Sequence, residues 1–178
     1  MTATLRDTRW QRLPAASGRY RPWLRDRGSL TRRIAARCPA FRVEVVFQGL
    51  RRPDRDERFL FSHRGRARVL VREVFLYCGD TRVVFAHTVL DPKDLCGAWR
   101  SVAKLGTRPL GAALFADPLV ARFPLRSRKI PRHHELQRRL RAAGRGGSGS
   151  LWARRSLFRL HNSPILVTEL FLPEILGL

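Results

Sequence analysis

Lysine is almost missing from this chain. Of its 36 basic residues 33 are arginine, and only Lys93, Lys104 and Lys129 carry an ammonium. Acidic residues are few as well, 14 in 178, which leaves a formal net charge of +22. Surface charge that serves solubility usually mixes the two cations, so the arginine bias reads as a codon-composition signature rather than a sign of function. The field it creates still attracts anions, whether small carboxylates, nucleic acid or anionic lipid. Cysteine is limited to Cys38, Cys78 and Cys96, an odd number with no CxxC pair. That spacing argues against a disulfide framework and a structural zinc site, and for a reducing compartment. No apolar run approaches the roughly 18 residues of a membrane-crossing helix, and the opening MTATLRDTRW lacks the apolar core of a signal peptide. A soluble, cytoplasmic protein is expected. A P-loop, a GxGxxG after a strand, a GxSxG and an HExxH are missing too. Neither a metal nor a cofactor is expected.

What is present suffices for one domain. Hydrophobic residues make up 44% of the chain, enough to bury an ordinary core and to exclude wholesale disorder. Residues 1–28, with Trp10, Pro14, Pro22 and Trp23, read as a segment wrapped over the surface of a single domain spanning 29–178. Ser29-Leu30-Thr31 offers capping hydroxyls to a short helix that Pro39 stops. From Phe41 to Gln48 apolar residues alternate with polar ones, the pattern of a half-buried strand. RRPDRDER (51–58) reads as a solvated turn. The runs 67–77 and 82–90 form a hairpin around Cys78-Gly79-Asp80. Asp91-Pro92 then caps a helix expected to run to Gly106, and a second short helix covers 109–116. Between 121 and 155 there are 11 basic residues and one acidic. Within that stretch 128–150 reads as an exposed, mobile insert whose ELQRRLRAA is helix-compatible and whose GRGGSGS end is a linker. Strands at 151–160 and 165–172 close the chain. Hairpins separated by short helices favour an α+β fold on a mostly antiparallel sheet.

Two charged residues stand out among apolar neighbours. Arg72 shares a strand face with Leu70, Val74 and Leu76, and a buried cation without an anion costs several kcal/mol. It is either a structural ion pair, with Glu44 or Glu73, or a guanidinium that grips a ligand carboxylate. Glu169 is the only ionisable group in ILVTELFL (165–172). Apolar surroundings would keep such a carboxyl from ionising, which suits a proton donor/acceptor or a hydroxyl anchor; the alternative is a partner for Arg72, Arg154 or Arg155. Together they suggest a small anionic ligand in an enclosed cavity. Adjacent His133 and His134 diverge on a helix and cannot share a metal, so they read as part of a solvated basic loop. Trp152, Arg154 and Ser156 fall on one face, but aromatics are not interleaved through the basic stretch as stacking platforms would be. Specific nucleic-acid binding is not expected.

In order along the chain, Ser29-Leu30-Thr31, Val71-Arg72-Glu73-Val74, Phe85-Ala86-His87-Thr88-Val89-Leu90, Leu105-Gly106-Thr107-Arg108-Pro109-Leu110-Gly111, Leu114-Phe115, Leu151-Trp152-Ala153-Arg154-Arg155-Ser156 and Thr168-Glu169-Leu170-Phe171-Leu172-Pro173 resemble the motif set of the chorismate pyruvate-lyase family. The resemblance implies an α+β fold with short helices covering an internal ligand cavity. It also implies cofactor-free conversion of chorismate to 4-hydroxybenzoate and pyruvate, the entry step of ubiquinone synthesis. Carried over residue by residue, the family's ligand-carboxylate arginine falls on Arg72 and its hydroxyl-contacting glutamate on Glu169. Backbone amides that hold the carboxylate fall at Leu30 and Leu110. Where the family usually has Arg this chain has His87, a candidate contact for the second carboxylate or the entry path.

Two other readings remain at this point. Effector domains of some bacterial transcription regulators resemble the same fold, but they follow a winged-helix domain, and about 28 residues precede the first matched motif here. A basic nucleic-acid-associated protein is supported by charge alone. No heptad or apolar stripe marks an oligomer interface, and a monomer is the default expectation.

Overall fold

A computed structural model describes residues 9–12, 16–61, 68–144 and 149–178. Seven strands form one antiparallel sheet: β1 (Phe41–Arg51), β2 (Val69–Cys78), β3 (Thr81–Leu90), β4 (Ala121–Arg122), β5 (Arg126–Ile130), β6 (Leu151–Leu160) and β7 (Ser163–Phe171). Their order is β1-β2-β3-β7-β6-β4, with β5 also paired to β6. The architecture is the α+β class expected from the hairpin pattern. The β2–β3 hairpin turns at Gly79, whose φ of +57° is accessible to glycine at little cost.

The sheet is covered on both faces, so β2 is buried almost from end to end rather than in alternation. On one face lie α1 (Arg21–Arg25), α2 (Leu30–Ala35), α3 (Arg100–Ala103) and α4 (Leu110–Ala116). There Leu70, Val74 and Leu76 of β2 and Val84 and Leu90 of β3 join two apolar clusters containing Leu30, Ile34, Leu110 and Leu114. The opposite face carries Phe75, Phe85, Ala153 and Leu170 under α5 (Glu135–Ala142), which contributes Leu136 and Leu140. Among the described residues no helix is long and apolar enough to cross a membrane.

Several segments differ from their sequence-based expectation. The helix expected over 91–106 breaks into a 3-10 turn, Pro92–Cys96, and the four-residue α3, with Gly97 between them at φ −127°, ψ −118°. The break lets Trp99 bury its ring while its Nε1 donates to the Ser163 carbonyl at 3.0 Å. The supposed solvated turn 51–58 folds inward, and Asp54, Asp56 and Glu57 are buried. Scarce carboxylates are used here to neutralise buried cations: Asp56 meets Arg155 at 2.8 Å and Asp54 meets Arg139. The stretch 128–150 supplies part of β5 and all of α5, which belong to the packed layers, while residues 145–148 of its Gly/Ser end lie outside the described residues. The N-terminal segment contains α1 and buries Trp10 and Trp23. Finally, Cys38 and Cys78 form a disulfide with Cα atoms 5.7 Å apart, leaving Cys96 as the free, exposed thiol. Pairing of Phe41 with Cys78 in the β1–β2 ladder carries the turn before β1 onto the end of β2. The odd cysteine count hid this pair, and the argument for a reducing compartment loses its basis.

Candidate active site

The side chains that alternate onto the helix-covered face leave a cavity between the sheet and the starts of α2 and α4. Arg72, Val74 and Leu76 reach it from β2, Ala86 and Thr88 from β3, and Val167 and Glu169 from β7. Phe158 and Leu114 extend its apolar wall, an arrangement suited to a flat hydrophobic ring held by a few polar groups.

Arg72 is 2% exposed. Its Nη2 donates to the carbonyls of Gly106 at 2.9 Å and Arg108 at 3.3 Å, and its Nε has no acceptor among the described residues. Gly106 takes φ +53°, the left-handed turn from which the loop before α4 presents both carbonyls. Neither structural partner considered for Arg72 is there: Glu73 points to the other face, and Glu44 pairs with exposed Arg42. Burial pushes the guanidinium down from its ordinary value, and among the described residues no carboxylate is paired with it. An anion is what this position lacks.

Glu169 lies between Ala86 of β3 and Arg154 of β6 in the ladder. Its Oε2 is ion-paired with Nε of Arg154, so the carboxylate is not held among apolar groups alone. Arg154 is fixed in turn by α1 and the loop after it, its Nη1 donating to the carbonyls of Trp23 at 2.9 Å and Asp26 at 2.7 Å. Its Nη2 is buried without an acceptor among the described residues.

Leu30 and Leu110 are the first residues of α2 and α4 and both line the cavity. Amides in a helix's first turn have no carbonyl partner within the helix. The two helix starts are pressed together at Gly111, where a Cβ would come within 2.9 Å of Ser29 Oγ and 3.0 Å of Thr31 Oγ1. Ser29 Oγ also caps α2 by accepting from the Arg32 amide.

The sequence pattern did not single out Arg122, which also lines the cavity. It stands on the two-residue β4, too short to show a period. Its Nε and Nη2 both donate to Ser156 Oγ, at 3.0 and 2.9 Å, and its Nη1 to the Arg27 carbonyl. Phe115 and Phe158 flank the guanidinium, with ring centres 5.1 and 5.2 Å away. Burial, and after it the charge of Arg154, brings its pKa down to about 10. The fixed signal that could have found it is Ser156, two residues from Arg154 on the same strand face.

His87 does not join the site. It lies on the opposite face, between Glu73 (Nδ1 to Oε1, 3.0 Å) and Glu57 (Nε2 to Oε1, 2.9 Å). Burial opposes its charge, but the two carboxylates outweigh burial and raise its pKa to about 9. Arg139 spans Asp54 and Glu73 beside it, and Arg51 lies 3.5 Å from Glu73. Asp54, Glu57 and His87 bring ligand-type atoms within 4.8 Å of one another. The cations already present match the three carboxylates, which marks a closed ionic network. His134 accepts from the Leu136 amide at the start of α5, and its Nε2 lies 3.7 Å from buried Asp56.

The family described as Chorismate lyase matches residues 5–177. "Probable chorismate pyruvate-lyase" of Nitrosospira multiformis is 50% identical over 171 residues, covering 95% of each chain. The protein of the same name from Nitrosomonas europaea is 49% identical over 153 residues, 86% of each. Among solved structures, the effector domain of PhnF from Mycobacterium smegmatis aligns with 83% of this chain and 90% of its own, at TM-score 0.54 and 14% identity. That last likeness is one of fold.

Proposed function

The chain belongs to the chorismate lyase family, and from that premise we propose that it converts chorismate to 4-hydroxybenzoate and pyruvate. The observation that supports this most directly is Arg72, a buried guanidinium without a carboxylate partner among the described residues that shares an apolar cavity with Glu169. In this reading Arg72 holds the ring carboxylate, helped by the amides of Leu30 and Leu110, and the ring lies against Val74, Val167 and Phe158. Glu169, fixed by Arg154, accepts a hydrogen bond from the 4-hydroxyl. The ring is thereby pinned at C1 and C4, with C3, which carries the enolpyruvyl group, next to the anchored C4.

The reaction balances within the substrate. The bond from C3 to the enolpyruvyl oxygen breaks, C4 loses its hydrogen, the ring becomes aromatic, and the departing enol gains a proton at its methylene carbon to become pyruvate. Aromatisation provides the driving force, and no external oxidant or reductant enters the balance. What the protein contributes is orientation, exclusion of water and charge placed against the two carboxylates. In this reading the protein is a monomeric enzyme that supplies the aromatic ring for ubiquinone. The test is to mix purified protein with chorismate and quantify both products. Equal amounts of 4-hydroxybenzoate and pyruvate are expected, and chorismate left intact would overturn it.

A further inference from the structure

We infer that Arg122, with the neighbouring Nη2 of Arg154, forms a second anion subsite that holds the enolpyruvyl carboxylate of the substrate. The inference rests on the lyase reading and deepens it. Among the described residues three guanidinia line the cavity, those of Arg72, Arg122 and Arg154, against one carboxylate, Glu169. The surplus of two positive charges equals the charge of a dicarboxylate. Arg72 and Glu169 account for the two ends of the ring, which leaves one cation and one substrate carboxylate.

The local geometry supports the same pairing. Ser156 Oγ fixes the Arg122 guanidinium in orientation, leaving an N–H of Nη2 over for a ligand. Arg122 and Arg154 are like charges, and after burial, the larger cause, their repulsion helps lower the pKa of Arg122. Arg154 also buries Nη2 without an acceptor among the described residues. One carboxylate bridging the two would relieve both the repulsion and the missing bond. Arg122 is also tied to the Arg27 carbonyl in the turn between α1 and α2. Ser156, which holds Arg122, lies on β6, three strands from Arg72 on β2 and next to the β7 strand that carries Glu169, so the subsite sits away from Arg72 and near Glu169, where a substituent on the ring carbon next to the hydroxyl would project. His87, the position from which this contact was expected, lies across the sheet and cannot supply it.

The substrate has this second carboxylate and 4-hydroxybenzoate lacks it, so the two ligands separate the roles. Steady-state kinetics on chorismate and titration with 4-hydroxybenzoate would be run on the parent, Arg122→Gln and Arg122→Lys, with melting temperature as a control for folding. Arg122→Gln should raise KM for chorismate about ten- to hundred-fold and leave the Kd for 4-hydroxybenzoate within about twofold. Arg122→Lys, which keeps the charge without the planar fork, should fall between. It also decides the matter if the Gln variant does not fold. An unchanged KM for chorismate, or an equal loss of affinity for 4-hydroxybenzoate, would overturn the subsite. If the parent itself leaves chorismate intact, the lyase reading has failed and the subsite falls with it.

Discussion

Arg154 and Glu169 stand opposite each other on β6 and β7, and their ion pair forms part of the cavity wall. Arg154 is anchored from behind by the carbonyls of Trp23 and Asp26. The carboxylate is therefore held on a rigid strand pair, with its position set by a side chain that α1 fixes. Arg72 stands on a different strand pair across the cavity. The distance between these two cavity-lining charges is thus fixed by sheet register rather than by loops.

Arg72 tests the carboxylate clamp. Arg72→Ala should weaken 4-hydroxybenzoate binding by about 2–5 kcal/mol, because the ligand anion is left desolvated without a partner. Arg72→Lys keeps the charge but loses the fork, and should still bind clearly less tightly than the parent. Calorimetric titration of the three proteins measures this. Parent-like affinity in Arg72→Ala would remove the main physical support for the site.

Glu169 tests anchoring against proton transfer. Its Oε2 is already engaged by Arg154, which suits a fixed acceptor for the 4-hydroxyl. Glu169→Gln retains size and a hydrogen-bonding group, so KM should rise while kcat falls less than about tenfold. Loss of kcat by about 10²-fold or more would instead assign Glu169 the proton.

His87 gives a pH signature in stability. Its folded-state pKa is raised to about 9, above the ordinary value for the free side chain. The stabilisation it brings is complete below about pH 6.5 and is lost as pH rises through about 9. Urea unfolding midpoints should therefore decline between these values. The decline should be shallower in His87→Gln, while kcat/KM for chorismate in that variant changes little because His87 lies on the other face of the sheet. Parallel pH profiles for parent and variant would contradict the network described here.

Much of this site was legible in the sequence because strand parity is a strong constraint. Arg72 and Glu169 were visible as charges on otherwise apolar faces, and both line one cavity. Leu30 and Leu110 entered through motif resemblance, since backbone amides leave no mark in residue type. What escaped depends on contacts distant in sequence. RRPDRDER looks solvated until Arg139 and Arg155, 85 and 99 residues after their partners, are brought against it. His87 looked like part of the site because its motif is, yet its parity puts it with Glu73 rather than Arg72. Arg122 was hidden in a basic stretch whose two-residue strand has no readable period.

The arginines of α5 are expected to divide sharply. Arg138 is a surface residue 3.7 Å from Glu135, with 62% of its side chain exposed, and Arg138→Ser should change stability by about 0.5 kcal/mol or less. Arg141 donates to the Arg132 carbonyl at an exposed site, and its replacement should likewise cost little. Arg139 differs because its guanidinium, 15% exposed, spans the buried carboxylates of Asp54 and Glu73. Arg139→Ser would leave both without their shared cation, next to a Glu73 that already holds His87. Breaking a buried ion pair by removing one partner costs about 3–5 kcal/mol, enough to shift a urea midpoint visibly. The loss should fall on stability, with 4-hydroxybenzoate affinity of the folded fraction preserved, since the cluster lies across the sheet from the cavity. Equal, small effects for all three substitutions would mean that the Arg139 network contributes nothing net.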